Sequence, residues 1–154
     1  IIAAIVLGPV DGAIIGGIWG LLTWVRAFVA PSSPLAPLVF VNPLVSVVPR
    51  IMIGILAGYT FILMCRLVKA KYIAAVSAAI VGTLTNTGLV LGFIYLFYRT
   101  PAVAQTYGVN VNHLLIALET VMATNGLAEL ILAIIIVPMV ALPVLEVRRR
   151  LEVN

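Results

Sequence analysis

The chain has 154 residues, of which 64% are hydrophobic and 9% are charged, and its formal net charge is +4. A soluble domain carries roughly 25% charged residues, so this composition excludes a soluble globular protein. The basic residues form no face interleaved with aromatic residues, which argues against nucleic-acid binding. A single cysteine, Cys65, excludes an intrachain disulfide and a cysteine metal framework. The composition predicts an all-α fold, a polytopic integral membrane helical bundle.

The first two predicted helices meet at a break formed by Gly8 and Pro9. The apolar stretch before this break is too short to cross a bilayer, which needs about 20 residues. We therefore expect a partial helix here and a further helix upstream of it. The second helix is predicted from about Val10 to Val29, and glycines at every fourth position let a neighbouring helix approach closely. These glycines are Gly12, Gly16 and Gly20.

A proline-rich segment, Ala30–Pro43, comes next and predicts an ordered loop rather than a helix. Asn42 has the chemistry of a helix N-cap, and Pro43 suits the first helical position. These two residues open a third helix, which is predicted to reach about Leu67.

Two further helices bring the prediction to about five in these residues. The fourth is predicted from about Lys71 to Tyr98, and a polar connection over 99–112 follows. The last helix is predicted from near His113 to about Arg148. At 1.5 Å per residue it is roughly 50 Å long, which exceeds the ~30 Å hydrocarbon core. We expect the two prolines in its second half to bend it.

Basic residues cluster at two places that the predicted helices bring to one side of the membrane. These residues are Arg66, Lys69, Lys71, Arg148, Arg149 and Arg150. The positive-inside rule places this side in the cytoplasm. One more helix before Ile1 would give six spans with both termini of the full protein in the cytoplasm. This topology predicts a multi-pass membrane protein.

Polar residues inside the predicted spans are the candidate functional residues, because polar groups in lipid are costly unless they are paired. They fall on three helices: Asn42, Ser46 and Arg50 on the third; Thr83, Thr85, Asn86 and Thr87 on the fourth; Asn125 and Glu129 on the last. Spacings of four place the first set on one helix face, and likewise the last set. Three polar stripes at comparable depths indicate one pocket that opens outward.

Structural interpretations of the same residues stay open. Threonines in membrane helices often donate to their own backbone, and asparagines can join helices. Arg50 could pair with Glu129 as a structural ion pair, and Glu119 could belong to the rim of the pocket. Ser46 has no histidine at a fixed local spacing, and the sequence has no glycine-rich phosphate loop. We predict no catalytic residue, no metal site and no cofactor.

Three stretches resemble the substrate-binding S component of an energy-coupling factor (ECF) vitamin transporter. They are "IIAAIVLGPVDGAIIG" at 1–16, "NPLVSVVPRIMIGILAG" at 42–58 and "GTLTNTGLVLGFIYL" at 82–96. The chain is most similar to the pantothenate-specific branch, from the second family helix onward. The resemblance implies one transmembrane S-component domain over 1–154 that lacks the first of six family helices.

The resemblance also implies a function and a set of partners. The chain would capture a small vitamin from outside for ATP-driven uptake, together with a transmembrane coupling subunit and two ABC-type ATPases. Those ATPases would hydrolyse ATP, so we predict no enzymatic activity for this chain. The alternatives are a stand-alone channel or ion-coupled carrier, an S component for a different vitamin, and a membrane assembly protein without a ligand.

The chemistry of the polar residues ranks the vitamins. A guanidinium binds a carboxylate with two parallel hydrogen bonds, so Arg50 favours an anion and disfavours cationic thiamine. Flavins and folates need aromatic stacking surfaces, whereas the predicted inward faces are mostly aliphatic and amide. Trp19, Trp24 and Phe40 could still supply stacking, so this alternative stays open. Pantothenate carries one carboxylate, two hydroxyls and one amide, so we predict that Arg50 anchors its carboxylate. Asn86 and Asn125 are predicted to bind its polar remainder, with Glu129, Asn42, Ser46 and Thr83 completing the substrate site.

Overall fold

The computed structural model describes residues 1–31 and 33–153, and all the regular structure in them is helical. The helices are α1 (Ile2–Val6), α2 (Pro9–Val29), α3 (Ala36–Val39), α4 (Pro43–Ser46), α5 (Val48–Val68), α6 (Lys71–Phe97), α7 (Pro101–Thr106), α8 (Leu114–Val121) and α9 (Leu127–Val153). A 3₁₀ turn (Val111–His113) precedes α8, and a π-helical turn (Met122–Gly126) joins α8 to α9. The predicted all-α bundle is confirmed.

Four stretches of the described chain are long and apolar enough to cross a membrane: Pro9–Val29, Pro43–Val68, Lys71–Phe97 and Val111–Leu151. With the short helix α1 before them, they match the predicted five helices, the first of them partial. Gly8 separates α1 from α2 with φ of 111°, a conformation that side chains with a Cβ rarely adopt. The predicted break at this position is confirmed.

The structure corrects the predictions in three connecting regions. The proline-rich loop contains one helical turn, α3, and its residue Ser32 lies outside the described residues. The third predicted helix is interrupted at Val47, between the end of α4 at Ser46 and the start of α5 at Val48, one residue before Pro49. The polar connection over 99–112 contains α7, whose first residue is Pro101. Helices α3 and α7 each have a proline in their first turn, where its missing N–H costs no hydrogen bond.

The last predicted helix also differs from the prediction in detail. It extends to Val153 rather than Arg148, and the π-helical turn interrupts it within its first third. Pro138 and Pro143 lie inside the continuous helix α9. A π turn adds one residue to a helical turn, and a sequence with helical periodicity on both sides gives no sign of it.

Helices α2 and α5 pack backbone to backbone along the predicted glycine face. A Cβ at Gly16 would lie 2.1 Å from the carbonyl oxygen of Arg50, and a Cβ at Gly20 would lie 2.7 Å from Cα of Val47. On the facing helix, a Cβ at Gly54 would lie 2.3 Å from the backbone of Gly12. The glycines therefore set the distance between these two helices, as the sequence predicted.

Two apolar clusters lie at opposite ends of the bundle. The cluster near the start of α6 is rich in alanine and contains Ile5, Val6, Ala57, Phe61, Ala74, Ala75, Ala78, Ala79, Val137 and Ala141. The cluster near the end of α6 combines residues of the long helices with those of the short ones: Val39, Val45, Ile94, Val103, Ala104, Leu114 and Leu118. Small side chains bring the helices close in the first cluster, whereas side chains of the short helices fill much of the second.

The end of the bundle near the start of α6, which we call the basic end, brings the two predicted clusters of basic residues together. Lys71 Nζ lies 3.9 Å from a carboxylate oxygen of Glu146, and Arg150 Nε lies 3.8 Å from the other. Arg148 donates a hydrogen bond to the carbonyl of Val6. These contacts join α9 to α1 and α6 on one side of the molecule. We call the opposite end, which carries α3, α4 and α7, the loop end.

Asn42 caps the start of α4, because its side-chain oxygen accepts a hydrogen bond from the Leu44 N–H at 2.9 Å. Removing such a cap costs about 1 kcal/mol. Asn42→Ala is therefore expected to lower the melting temperature by roughly 2–4 °C, measured by thermal unfolding in detergent. Thr23→Val is the control, since it exchanges an exposed hydroxyl, which donates to the Trp19 carbonyl, for a methyl group. Equal melting temperatures for the two variants would contradict the capping role.

Candidate functional site

A cavity of about 200 Å³ lies between α5, α6 and the run from α8 to α9. Four of the predicted site residues line it: Arg50, Asn86, Asn125 and Glu129. Thr87 lines it as well, and the rest of its wall is Phe40, Val90, Leu91, Val121 and Gly126. The cavity therefore combines a guanidinium, two amides, a carboxylate and a hydroxyl with an otherwise apolar wall.

Arg50 owes its position to the proline that precedes it. Pro49 has no N–H, so the Val45 carbonyl, four residues before it, lacks its usual helical donor. Arg50 Nη1 donates to this carbonyl at 2.9 Å. The guanidinium carbon also lies 5.6 Å from the centre of the Phe40 ring, within range of a cation–π interaction. One of the five N–H donors of Arg50 is thus used by the backbone, and the side chain is held from two directions.

Asn86 and Thr87 bring buried polar atoms to the cavity. Within the described part of the chain, Asn86 Oδ1 and Thr87 Oγ1 are both buried and have no hydrogen-bond partner. Most buried polar atoms in proteins are paired, because leaving one unpaired costs roughly 1–3 kcal/mol. Two adjacent unpaired oxygens in the wall of one cavity indicate a site for a hydrogen-bonding ligand.

Asn125 and Glu129 lie on the opposite wall. Asn125 belongs to the π-helical turn, and Glu129 is in the first turn of α9. Both residues are exposed, so the cavity is accessible from their side. Among the residues that the structure describes, Arg50 and Glu129 form no ion pair, although they line the same cavity. π-helical turns occur frequently at functional sites, and this one presents Asn125 to the cavity.

The other three predicted site residues lie outside the wall of this cavity. Asn42 uses its side-chain oxygen to cap α4, as described above. Ser46 is fully buried, and its hydroxyl donates to the Asn42 carbonyl at 3.0 Å. Thr83 is 7% exposed and lies one turn from Thr87 on α6. The predicted stripe of Asn42, Ser46 and Arg50 is divided, because the helix is interrupted at Val47 between the last two.

The cavity includes residues that the sequence pattern did not place in the site. Phe40 follows a short helix in the proline-rich segment, where helical spacing does not predict which way a side chain points. Its aromatic ring was the only feature that indicated a role in binding. Thr87 adjoins Asn86, and its neighbour Thr85 behaves as the structural interpretation predicts, donating to the Val81 carbonyl at 2.7 Å. Glu119, predicted for the rim, lines a separate groove that adjoins the cavity.

The chemistry of the cavity suits recognition of a small polar anion. The guanidinium offers charge and paired donors, the amides offer both donors and acceptors, and the apolar wall excludes water. Within the described residues, no three His, Cys, Asp or Glu side chains gather in a group that could hold a metal ion. Ser46, the hydroxyl considered for nucleophilic chemistry, bonds to a backbone carbonyl rather than to a base.

Comparison with known proteins gives a family and two relatives. The family described as "ECF transporter, substrate-specific component" matches residues 1–141. The "Pantothenic acid transporter PanT" of Lactococcus lactis subsp. cremoris is 32% identical over 148 residues, which cover 88% of this chain and 69% of that protein. The "Pantothenate transporter PanT" of Leuconostoc mesenteroides subsp. mesenteroides is 48% identical over 60 residues, which cover 39% of this chain and 29% of that protein.

Proposed function

Because the chain belongs to the family of ECF transporter substrate-specific components, we propose that its substrate is pantothenate, bound in the cavity of Arg50. The family makes the chain a substrate-binding subunit of a membrane transporter, and its four long apolar helices make it a multi-pass membrane protein. The names of the two relatives support the choice of vitamin, since both are described as transporters of this compound.

The observation that carries the proposal is the match between the polar groups of the cavity and those of pantothenate. Arg50 binds the single carboxylate, because a guanidinium forms charge-assisted, paired hydrogen bonds with it. Asn86 and Asn125 bind the amide and the hydroxyls, since amide side chains both donate and accept. Glu129 accepts from a hydroxyl of the ligand. Thiamine has no carboxylate for the guanidinium to bind, and its positive charge would be repelled by Arg50.

The remaining three predicted site residues have supporting roles in this proposal. Asn42 and Ser46 hold the start of the third span, whose next turn carries Arg50. Thr83 packs below the cavity on α6. We assign no direct substrate contact to any of the three.

The proposed partners are a transmembrane coupling subunit and two ABC-type ATPases, which would supply the ATP hydrolysis. The proposed orientation places the basic end in the cytoplasm of a bacterial cell, which the positive-inside rule supports. The cavity then lies nearer the outer surface, since Arg50 is three residues into a helix that starts at the loop end. Both termini of the full protein would be cytoplasmic, with six spans in all.

The direct test is equilibrium binding of radiolabelled pantothenate to the full-length protein, purified in detergent. We expect saturable binding that unlabelled pantothenate displaces and that thiamine does not displace. Thiamine is the control because it has the opposite charge. Purification from cells that also produce the ATPase and coupling subunits should recover the complex. Absence of saturable pantothenate binding would overturn the proposed substrate and leave the family unaffected.

A further inference from the structure

We propose that Thr87 determines specificity at this site by hydrogen bonding the hydroxyl-bearing, branched end of the ligand. The inference rests on the proposed function, and it assigns an orientation to the ligand within the cavity. Arg50 then marks the carboxylate end and Thr87 marks the other end.

The hydroxyl of Thr87 differs from those of most other helical threonines in the described residues. Five of them donate to the carbonyl four residues earlier: Thr23, Thr85, Thr106, Thr120 and Thr124. This local bond is the usual way for a threonine to satisfy its hydroxyl in a membrane helix. Thr87 Oγ1 is buried without a partner among the described residues. Its hydroxyl therefore lacks the local bond that those five threonines form, and it remains available to a ligand.

Thr87 lies where the polar cavity meets an apolar groove. The groove has a volume of about 440 Å³ and runs between α6 and the π-helical turn. Thr87 and Gly126 line both spaces, whereas Arg50, Asn86 and Asn125 line only the polar cavity of the two. The groove wall is otherwise Leu84, Glu119, Met122, Ala123, Leu127 and Leu130. A ligand group at Thr87 thus meets one hydroxyl and an aliphatic surface.

Gly126 holds the two helices close at this junction. A Cβ at Gly126 would lie 3.3 Å from the Thr87 Cγ2, closer than most contacts of real Cβ atoms. The Thr87 methyl therefore packs against the π-helical turn, which leaves its hydroxyl as the polar atom at the boundary. The position of the hydroxyl is fixed by packing rather than by a hydrogen bond.

The two ends of pantothenate differ in charge and polarity, and only one of them suits a hydroxyl beside an aliphatic groove. One end is the carboxylate, and the other carries two hydroxyls on either side of a carbon with two methyl groups. A hydroxyl beside methyl groups suits a buried threonine hydroxyl beside an aliphatic groove. The carboxylate suits the junction poorly, because no cationic side chain lines the groove in the described residues.

The test compares three variants with three probes in the full-length protein. The variants are Thr87→Val, which loses the hydroxyl at constant shape, Thr87→Ser, which keeps it, and Thr85→Val, the matched control two residues away. The probes are pantothenate and its two single-deoxy analogues, each of which lacks one hydroxyl. We expect Thr87→Val to weaken pantothenate binding roughly tenfold, with Thr87→Ser and Thr85→Val within about threefold of wild type.

The analogues separate a hydrogen bond from a packing effect. For one deoxy analogue, wild type and Thr87→Val should bind with equal affinity, because the partner of the Thr87 hydroxyl is gone. If Thr87→Val binds pantothenate as wild type does, the inference is overturned and the proposed substrate stands. If Thr87→Val lowers the affinity for all three probes by the same factor, the hydroxyl contact is likewise overturned. Failure of wild type to bind pantothenate would overturn the proposed function together with this inference.

Discussion

Arg50→Ala is expected to weaken pantothenate binding by roughly tenfold to a hundredfold. A hydrogen bond to a charged group contributes about 1.5–3 kcal/mol net, and each 1.4 kcal/mol is a tenfold change in affinity. Arg50→Lys keeps the charge and loses the planar pair of donors, so it should recover only part of the loss. Arg26→Ala is the control, since Arg26 lies in the last turn of α2 and does not line the cavity. Equilibrium binding of the radiolabelled vitamin measures all three.

The rival role for Arg50 is a structural one, in which it balances the charge of Glu129. Removing Arg50 alone would then leave an uncompensated carboxylate and lower the melting temperature of the ligand-free protein. The double variant Arg50→Met with Glu129→Met distinguishes the two roles, because it removes both charges. Stable folding with near-original affinity for pantothenate would show that Arg50 has only a scaffolding role. Stable folding with lost affinity would support its contact with the substrate.

Gly16→Ala is expected to have the largest effect on stability. Its Cβ would lie 2.1 Å from the Arg50 carbonyl oxygen and 2.8 Å from the carbonyl carbon, both backbone atoms that a side-chain rotation cannot move. Overpacking typically costs ~1–3 kcal/mol, and a backbone clash places this change at the upper end or beyond. The melting temperature should fall by roughly 6–12 °C. Pantothenate affinity should fall as well, because the clash displaces the turn that carries Arg50.

Gly17→Ala is the matched control for that experiment. Its Cβ would lie 3.4 Å from Cγ1 of Ile51, an ordinary contact with a side chain. Both changes add one methyl group to adjacent positions of α2, so helix propensity changes equally in both. Similar melting temperatures for the two variants would mean that α2 and α5 separate at little cost, and would contradict the glycine packing described above.

The sequence predicted the long helices well because their signals are local. Apolar length predicted the spans, the Gly8 and Pro9 pair predicted the first break, and glycine spacing predicted the close approach of a helix to α2. The resemblance to the S-component family is confirmed by the family match over residues 1–141. The short helices α3 and α7 were missed, because prolines in their first turns resemble loop signals. Tertiary packing against the long helices decides those segments.

The candidate site was harder to predict, because it depends on departures from regular helix. A spacing of four residues placed Ser46 and Arg50 on one helix face. Because the helix is interrupted at Val47, Arg50 lines the cavity whereas Ser46 is buried outside its wall. Asn125 lies in the π-helical turn, which the sequence did not predict, although Asn125 and Glu129 still line the same cavity. Phe40 reaches the cavity from a connecting segment, and no periodicity describes such a residue. A single sequence contains no signal for the direction of the Thr87 hydroxyl.

The bond between Arg50 and the carbonyl that Pro49 leaves free has a consequence for the entropy of recognition. A free arginine loses up to about 2 kcal/mol of rotamer entropy when a ligand immobilises it. Here the side chain is already ordered by Val45 and by the Phe40 ring before any ligand arrives. The entropy cost of ordering this side chain is already part of the folding free energy, so it does not reduce the binding free energy of the ligand. Pro49, a residue with no polar side-chain atom, thereby acts as a preorganising element for the recognition of an anion.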